Sequence, residues 1–331
     1  MKRLLDDIEN GRLSEEYICG MDLNYAFDYS LLDRMAIKYL PVLSSLGCRN
    51  TCEYCCAASL YHGNYRLRHP DFVMADLQAI RKRSRYAAFL DSNIYNNAAY
   101  LRQLCARIID ERVDSLWGAQ ATIDIGEDAE TLSLLYKAGC RVLYIGFETL
   151  NQVDLTWLNK PYDIERYECN ALRIREAGIH VFGYFILGLD NDSQDTFKAV
   201  RSFVRKTRMA VPIINILTPV PGTDTYNRLR RENRILFSED SFLEDNHRYS
   251  VPCNSCYYIP RNFTPMNLEQ NFIALYRSLC TWPEILRRSL DAPPRLAANL
   301  LYMNVKMRAE YKSLRSVTCG NGPTLSRGKS V

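Results

Sequence analysis

Six short apolar runs, separated by stretches of helical periodicity, constrain what this chain can fold into more than any other feature. The runs are Ile37 to Leu46, Ala87 to Asp91, Leu116 to Ile123, Val142 to Phe147, His180 to Leu187 and Pro212 to Thr218. Helical stretches fall at about 71 to 85, 97 to 112, 128 to 138, 163 to 177, 193 to 207 and 223 to 233. Alternation of this kind specifies a parallel sheet covered by helices, because parallel neighbours need a crossover long enough to hold a helix. Gly139 and Gly178 each stand between a helical run and the next strand, where a left-handed residue ends a helix. Asp192-Ser193 supplies an N-cap oxygen for the fifth helix. Six units are too few for a closed eight-stranded barrel.

With 331 residues, 47% of them hydrophobic, the chain can bury one large core. No stretch approaches eighteen consecutive apolar residues, and Met1-Lys2-Arg3-Leu4-Leu5-Asp6-Asp7 turns acidic before a signal-peptide core can form, so a soluble, cytoplasmic protein without a transmembrane segment is expected. Twelve cysteines without a secretion signal point to a reducing compartment. The formal charge of +4 is uneven: residues 287 to 331 hold nine Lys or Arg against two acids, hence +7, leaving −3 for the rest. That basic end reads first as a solvated helix with a flexible tail and second as a contact for an anionic partner or membrane surface.

The densest chemistry lies in Gly47-Cys48-Arg49-Asn50-Thr51-Cys52-Glu53-Tyr54-Cys55. Three thiolates at C-x-x-x-C-x-x-C spacing hold three irons of a cubane cluster and leave the fourth open to an exogenous ligand. The same three cysteines with His62 also make a Cys3His set for structural zinc. The spacing, the preceding Gly and the aromatic Tyr54 resemble the radical S-adenosylmethionine (radical SAM) superfamily. The resemblance implies a [4Fe-4S] cluster on Cys48, Cys52 and Cys55, S-adenosylmethionine chelating the open iron, an oxygen-labile centre that needs anaerobic conditions, and a flavodoxin or ferredoxin-type electron donor. It also implies a partial (β/α)6 barrel, with the active site at the C-terminal strand ends as in complete barrels.

Further motifs match that family in order, extending the resemblance over roughly 37 to 285. Phe89-Leu90-Asp91-Ser92-Asn93 stands where the second strand carries polar groups toward the methionine amine, with Asp91 and Asn93 as candidates and Ser92 a departure from the pattern. Glu148 in Tyr144-Ile145-Gly146-Phe147-Glu148-Thr149 and Lys160 in Leu158-Asn159-Lys160-Pro161 match positions that face the cosubstrate. In Gly183-Tyr184-Phe185-Ile186-Leu187-Gly188-Leu189-Asp190, Ile186 matches an apolar adenine contact and Gly188 a close backbone approach. Tyr54 and Gln120 complete the expected cofactor-binding set. In this family the reduced cluster cleaves the sulfonium to methionine and a 5′-deoxyadenosyl radical, which removes hydrogen from an unactivated carbon of a small-molecule substrate.

Ile216-Leu217-Thr218-Pro219-Val220-Pro221-Gly222-Thr223, Asn233-Arg234-Ile235 and Pro260-Arg261-Asn262-Phe263-Thr264-Pro265 look like the cobalamin-dependent branch. About thirty-five residues precede the first strand, too few for a cobalamin domain of ~100 residues, so the expectation is a derived member without cobalamin. Oxidation or hydroxylation follows as the expected reaction, as in enzymes that oxidise a ring methyl of bacteriochlorophyll precursors. The alternative is epimerisation or dehydrogenation of the aminoglycoside-epimerase kind, with hydrogen returned from a thiol. Cys253 and Cys256 are the candidate catalytic thiols, or with Cys280 part of a second metal site, and are otherwise buried structural cysteines. The expected organisation is an N-terminal extension over 1–35, the core barrel over 36–236, a mostly helical substrate-covering region over 237–318 with two or three helices in 265–315, and a flexible tail over 319–331. A zinc-stabilised nucleic-acid-binding protein is the alternative of another class. Against it, the first 286 residues are near neutral and lack interleaved basic and aromatic residues, so no nucleic-acid partner is expected.

Overall fold

The computed structural model describes residues 2–13, 23–32, 37–238 and 255–318. Six strands form one parallel sheet in the order β1 (Tyr39–Val42), β4 (Tyr86–Phe89), β5 (Leu116–Ala121), β6 (Cys140–Glu148), β7 (His180–Leu187) and β8 (Val211–Ile216). Each inner strand pairs in parallel with its neighbours in this order, and β1 and β8 remain edges, so the sheet is an open, partial barrel. The α/β architecture expected from alternation is therefore present.

The first apolar run departs from expectation. It splits into β1 and β2 (Ser45–Gly47), and β2 pairs antiparallel with β3 (Tyr65–Leu67) in a separate ribbon. The break has a polar cause: Ser44 turns its N–H and hydroxyl toward the Asp91 carboxylate, at 3.1 and 2.6 Å. Gly47 ends β2 with φ +86°, and a Cβ there would lie 2.0 Å from the Asn64 carbonyl oxygen, so only glycine lets the ribbon close before Cys48.

Helices cover the outer face: α3 (Pro70–Arg81), α4 (Ala98–Asp110), α5 (Ala129–Lys137), α7 (Tyr167–Glu176), α8 (Gln194–Lys206) and α9 (Asp224–Arg231). Two six-residue helices were not foreseen, α2 (Cys56–Tyr61) and α6 (Gln152–Trp157), and a single 3₁₀ turn at Ile164–Arg166 precedes α7. Gly139 and Gly178 follow α5 and α7 with φ of +97° and +84°, as expected of left-handed helix ends. Ser193 caps α8 through a reciprocal box with Thr196, whereas Asp192 turns back to accept the Gly188 and Leu189 N–H groups.

Burial alternates along the strands. In β5, Trp117, Ala119 and Ala121 are buried while Gly118 and Gln120 on the other parity are not. The buried parity meets Leu101, Leu104 and Ile108 of α4, Leu132 and Leu135 of α5, and Val200 and Val204 of α8. Phe147 anchors this layer, with ring centroids 5.5, 5.1 and 5.3 Å from Phe185, Phe203 and Tyr167. The other parity lines the concave interior, which is left for a site.

Before the sheet, α1 (Lys2–Glu9) is followed by residues 23–32, which pack on the first strand and third helix. Tyr29 donates to the Pro41 carbonyl at 2.8 Å, and Arg68 bridges the Leu23 carbonyl and the buried Asp76. After it come α10 (Pro265–Leu279), α11 (Trp282–Leu290) and α12 (Pro294–Thr318), matching the helices expected there. They cover the open edge of β8: the Tyr276 hydroxyl accepts from Ile214 N–H and donates to Ile214 O, both at 3.0 Å, and Asn304 donates to Ala210 O at 3.1 Å. An edge strand with free backbone groups templates aggregation, and this contact removes that exposure. Tyr276→Phe leaves both Ile214 groups unpaired in a buried setting, so chemical denaturation should show a loss of about 1–3 kcal/mol. An unchanged midpoint would mean the edge is satisfied without the phenol.

Candidate active site

A cavity of about 420 Å³ opens at the C-terminal ends of the strands, and one wall of it is the loop carrying Cys48, Cys52 and Cys55. Three contacts hold that loop. Glu53 N–H donates to Leu158 O at 3.3 Å, Thr225 N–H at the start of α9 donates to Glu53 O at 3.1 Å, and the Asn159 amide donates to Thr51 O and Oγ1 at 3.1 and 2.7 Å. Asp91 holds its base, buried and bound to Ser44 and Ser45. Burial raises the Asp91 carboxyl, against the opposing pull of those hydrogen bonds.

All three thiols line the cavity, Cys48 and Cys52 buried and Cys55 half-buried. Burial pushes the Cys52 thiol up to about 11, with the Lys160 ammonium opposing it. A site of this kind holds a thiolate when a metal replaces the proton. His62 is an exposed residue at the end of α2 with φ +48°, outside the cavity lining. Among the described residues no three His, Cys, Asp or Glu side chains converge on a single metal ion. The three thiols share one cavity wall while His62 stands outside it, so the residues present offer a cluster three thiol ligands and leave a Cys3His zinc set without its histidine.

The same cavity holds a buried ion pair. Lys160 Nζ lies 2.6 Å from Glu148 Oε1 and donates to the Gly146 carbonyl at 2.9 Å, with both side chains less than a tenth exposed. Glu148 is reached through a register shift between Gly146 and Glu148, and its φ of +62° is strained for a residue with a Cβ. A Cβ at Gly146 would sit 2.1 Å from Glu148 Oε1, so glycine makes room for the pair. Tyr54 packs beside Glu148, and burial raises its phenol well above the ordinary value, keeping it protonated.

The remaining expected residues divide. Gln120 and Ile186 line the cavity, as does Asn93, whose amide donates to Asn96 Oδ1 at 3.1 Å and Thr122 Oγ1 at 3.3 Å. Ser92 also faces the cavity, whereas Asp91 is turned away as the brace described above. Gly188 is outside the lining: its φ is +93°, and a Cβ would meet the Tyr258 hydroxyl at 2.3 Å and Leu268 at 2.7 Å. The glycine there admits the C-terminal segment rather than a cofactor. Cys256 is buried off the cavity, its thiol 3.1 Å from the Tyr258 carbonyl, and burial pushes it up to about 12. Cys280 is buried at the end of α10, and Cys253 lies outside the described residues.

Sequence reasoning missed Tyr144, Tyr184 and Asn215, which line the same cavity as the ion pair, with the two tyrosine rings 6.4 Å apart. Strand parity carries the signal. Tyr144 is in register with Gln120, Tyr184 with Gly146, and Asn215 with Ile186. Counting by twos from the expected residues reaches them.

Comparison with known proteins agrees with this geometry. The sequence model of the Radical SAM superfamily matches residues 42–204. Bacteriochlorophyllide d C-12(1)-methyltransferase of Chlorobaculum tepidum is 28% identical over 275 residues, which are 81% of this chain and 58% of that protein. Anaerobic magnesium-protoporphyrin IX monomethyl ester cyclase of Rubrivivax gelatinosus is 24% identical over 61% of this chain and 38% of its own length. The chain thus spans little more than half of the first of these relatives. Among solved structures, the radical S-adenosylmethionine methyltransferase TsrM of Kitasatospora setae, with tryptophan and a SAM analogue bound, superposes with a TM-score of 0.61 at 15% identity, covering 87% of this chain and 63% of that one. With residues 42–204 matched in sequence, a likeness in fold that extends beyond them and three thiols at the expected strand end, the chain carries a domain of the radical SAM superfamily.

Proposed function

We propose that Cys48, Cys52 and Cys55 hold a [4Fe-4S] cluster, that S-adenosylmethionine binds beside it, and that the enzyme removes a hydrogen atom from an alkyl substituent of a flat, largely apolar small molecule. The observation that carries this reading is the convergence of three loop thiols and a buried ion pair on one cavity. When bound and reduced, the cluster supplies the electron that splits the sulfonium into methionine and a 5′-deoxyadenosyl radical.

The chain's own residues contribute placement. Lys160 keeps one N–H beyond those given to Glu148 and Gly146, suited to a carboxylate, and the Glu148 carboxylate, which also meets the Tyr54 phenol, offers negative charge to an ammonium. The pair therefore complements the zwitterion at the methionyl end of the cosubstrate. Asn93 and Gln120 add neutral amides, and Ile186 adds an apolar surface for the base. Deeper in the barrel, Tyr144 and Tyr184 offer ring faces to a planar substrate, and Asn215 offers one amide to orient it. Holding the reacting carbon near the radical carbon is the protein's share of the rate.

The names of the tetrapyrrole-modifying relatives support a tetrapyrrole as substrate class. Two of those relatives are methyltransferases, which favours methylation of the attacked carbon over the oxidation read from the sequence. Cobalamin consequently belongs in one arm of any assay. Return of hydrogen from Cys256 is disfavoured, since its thiol is held by the Tyr258 carbonyl off the cavity.

Anaerobic reconstitution should yield about four irons with sulfide per chain, and 5′-deoxyadenosine on adding dithionite and S-adenosylmethionine. Cys52→Ala should lose both, and zinc in place of iron would overturn the reading. Given a magnesium porphyrin, with and without methylcobalamin, mass spectrometry separates gain of a methylene from gain of an oxygen.

Glu148→Gln should keep the iron but weaken S-adenosylmethionine binding by about tenfold or more, and destabilise the fold by about 3–5 kcal/mol by stranding Lys160. Glu148→Gln with Lys160→Met should recover much of that stability without recovering binding. Recovery of binding in the double variant would assign the pair a purely structural role.

A further inference from the structure

Helix α11 is built inside out. Its inward face carries Glu284, Ile285, Arg288 and Ser289, all buried. Its outward face carries Trp282, Leu286 and Leu290 at i, i+4 and i+8, with 51%, 43% and 70% of their surface exposed. A surface helix of a globular protein ordinarily turns the other way.

The inward face is committed to its partners. Arg288 donates to Asn304 Oδ1 at 3.2 and 2.7 Å and to the Leu279 carbonyl at 2.8 Å, while Glu284 accepts from Arg205 at 2.8 Å. Rolling the leucines inward would strip buried charges of these bonds, so the stripe is a fixed surface feature. Cations adjoin it: the Arg308 guanidinium lies 5.2 Å from the Trp282 ring centroid, and Arg287 is 46% exposed. On α12, Tyr302 and Lys306 are exposed, and from residue 287 onward nine Lys or Arg stand against two acids.

We propose that the outward face of α11, with the adjoining basic part of α12, docks the protein peripherally on an anionic lipid surface. A nine-residue helix is only about 13 Å long. Its three apolar side chains fall far short of the roughly 800 Å² per partner that a stable protein interface buries. The surrounding positive charge also opposes a second copy. A bilayer sets no such minimum area: indole sits at headgroup level, leucine enters the acyl boundary, and Lys and Arg meet anionic headgroups. Among the described residues no helix is long and apolar enough to cross a membrane. This inference does not depend on the reaction proposed above.

The test is sedimentation of the purified, cluster-loaded full chain with vesicles of phosphatidylcholine, alone or mixed with phosphatidylglycerol. The bound fraction should rise on the order of tenfold with anionic lipid and fall at high salt. Leu286→Ser with Leu290→Ser should abolish it, whereas Leu31→Ser, at another exposed leucine, should not. A blue shift in tryptophan emission on binding should vanish in Trp282→Phe. Equal binding to neutral vesicles, or no binding to either, would overturn the proposal. So would a concentration-dependent dimer dispersed by the same double variant, which would give the stripe to a second copy.

Discussion

An ammonium and a carboxylate 2.6 Å apart and almost wholly out of water organise this molecule's functional end. Removing two ions from water costs several kcal/mol each, and their attraction offsets this only with close geometry and extra hydrogen bonds. Here the Gly146 carbonyl takes one further Lys160 proton, and the backbone bends to suit: no side chain at Gly146, a shifted register after it, and a left-handed Glu148. The turn that delivers Lys160 also delivers Leu158 O to Glu53 and the Asn159 amide to Thr51. Ion pair, turn and cysteine loop are therefore one mechanical unit, and a shift of Lys160 moves the thiols.

The rim of the site is held by acids that never face it. Asp91 ties the start of the cysteine loop to the end of β4. Asp190, after β7, takes Arg228, Arg234 and Arg261 together, and Arg228 also lies 3.9 Å from the Trp157 ring centroid. The Tyr258 hydroxyl donates to Gly188 O from the same C-terminal segment. These contacts bind the far end of the chain to the strand ends, which explains why polar residues crowd there without all of them being ligands.

What could be read from the sequence follows from the range of the forces involved. Strand parity, helix punctuation and the C-x-x-x-C-x-x-C spacing are local, and the six strands and the thiol loop fall where the pattern puts them. The break at Ser44 was not readable, because its partner Asp91 is forty-seven residues away. Gly188 misled for a similar reason, since the phenol that requires its missing Cβ is seventy residues further on. Asp91 and Asn93 look equivalent as letters, and only the turn after β4 decides which one reaches the cavity. Tyr144 and Tyr184 were hidden differently: both stand inside the quoted motifs, but the resemblance gave its roles to Glu148 and Ile186 and none to them.

The strand order gives the seal on β8 a kinetic meaning. After β1, strands join the sheet in chain order, so during synthesis the newest strand is always the open edge. Each edge is buried when the next strand arrives, except the last. Val211–Ile216 waits for Tyr276, sixty-two residues beyond Ile214. A ribosome adding ~5–20 residues per second leaves that apolar edge bare for several seconds. The three closing helices are consequently part of the folding unit, and a chain cut before α10 would present a sticky strand instead of a smaller folded domain.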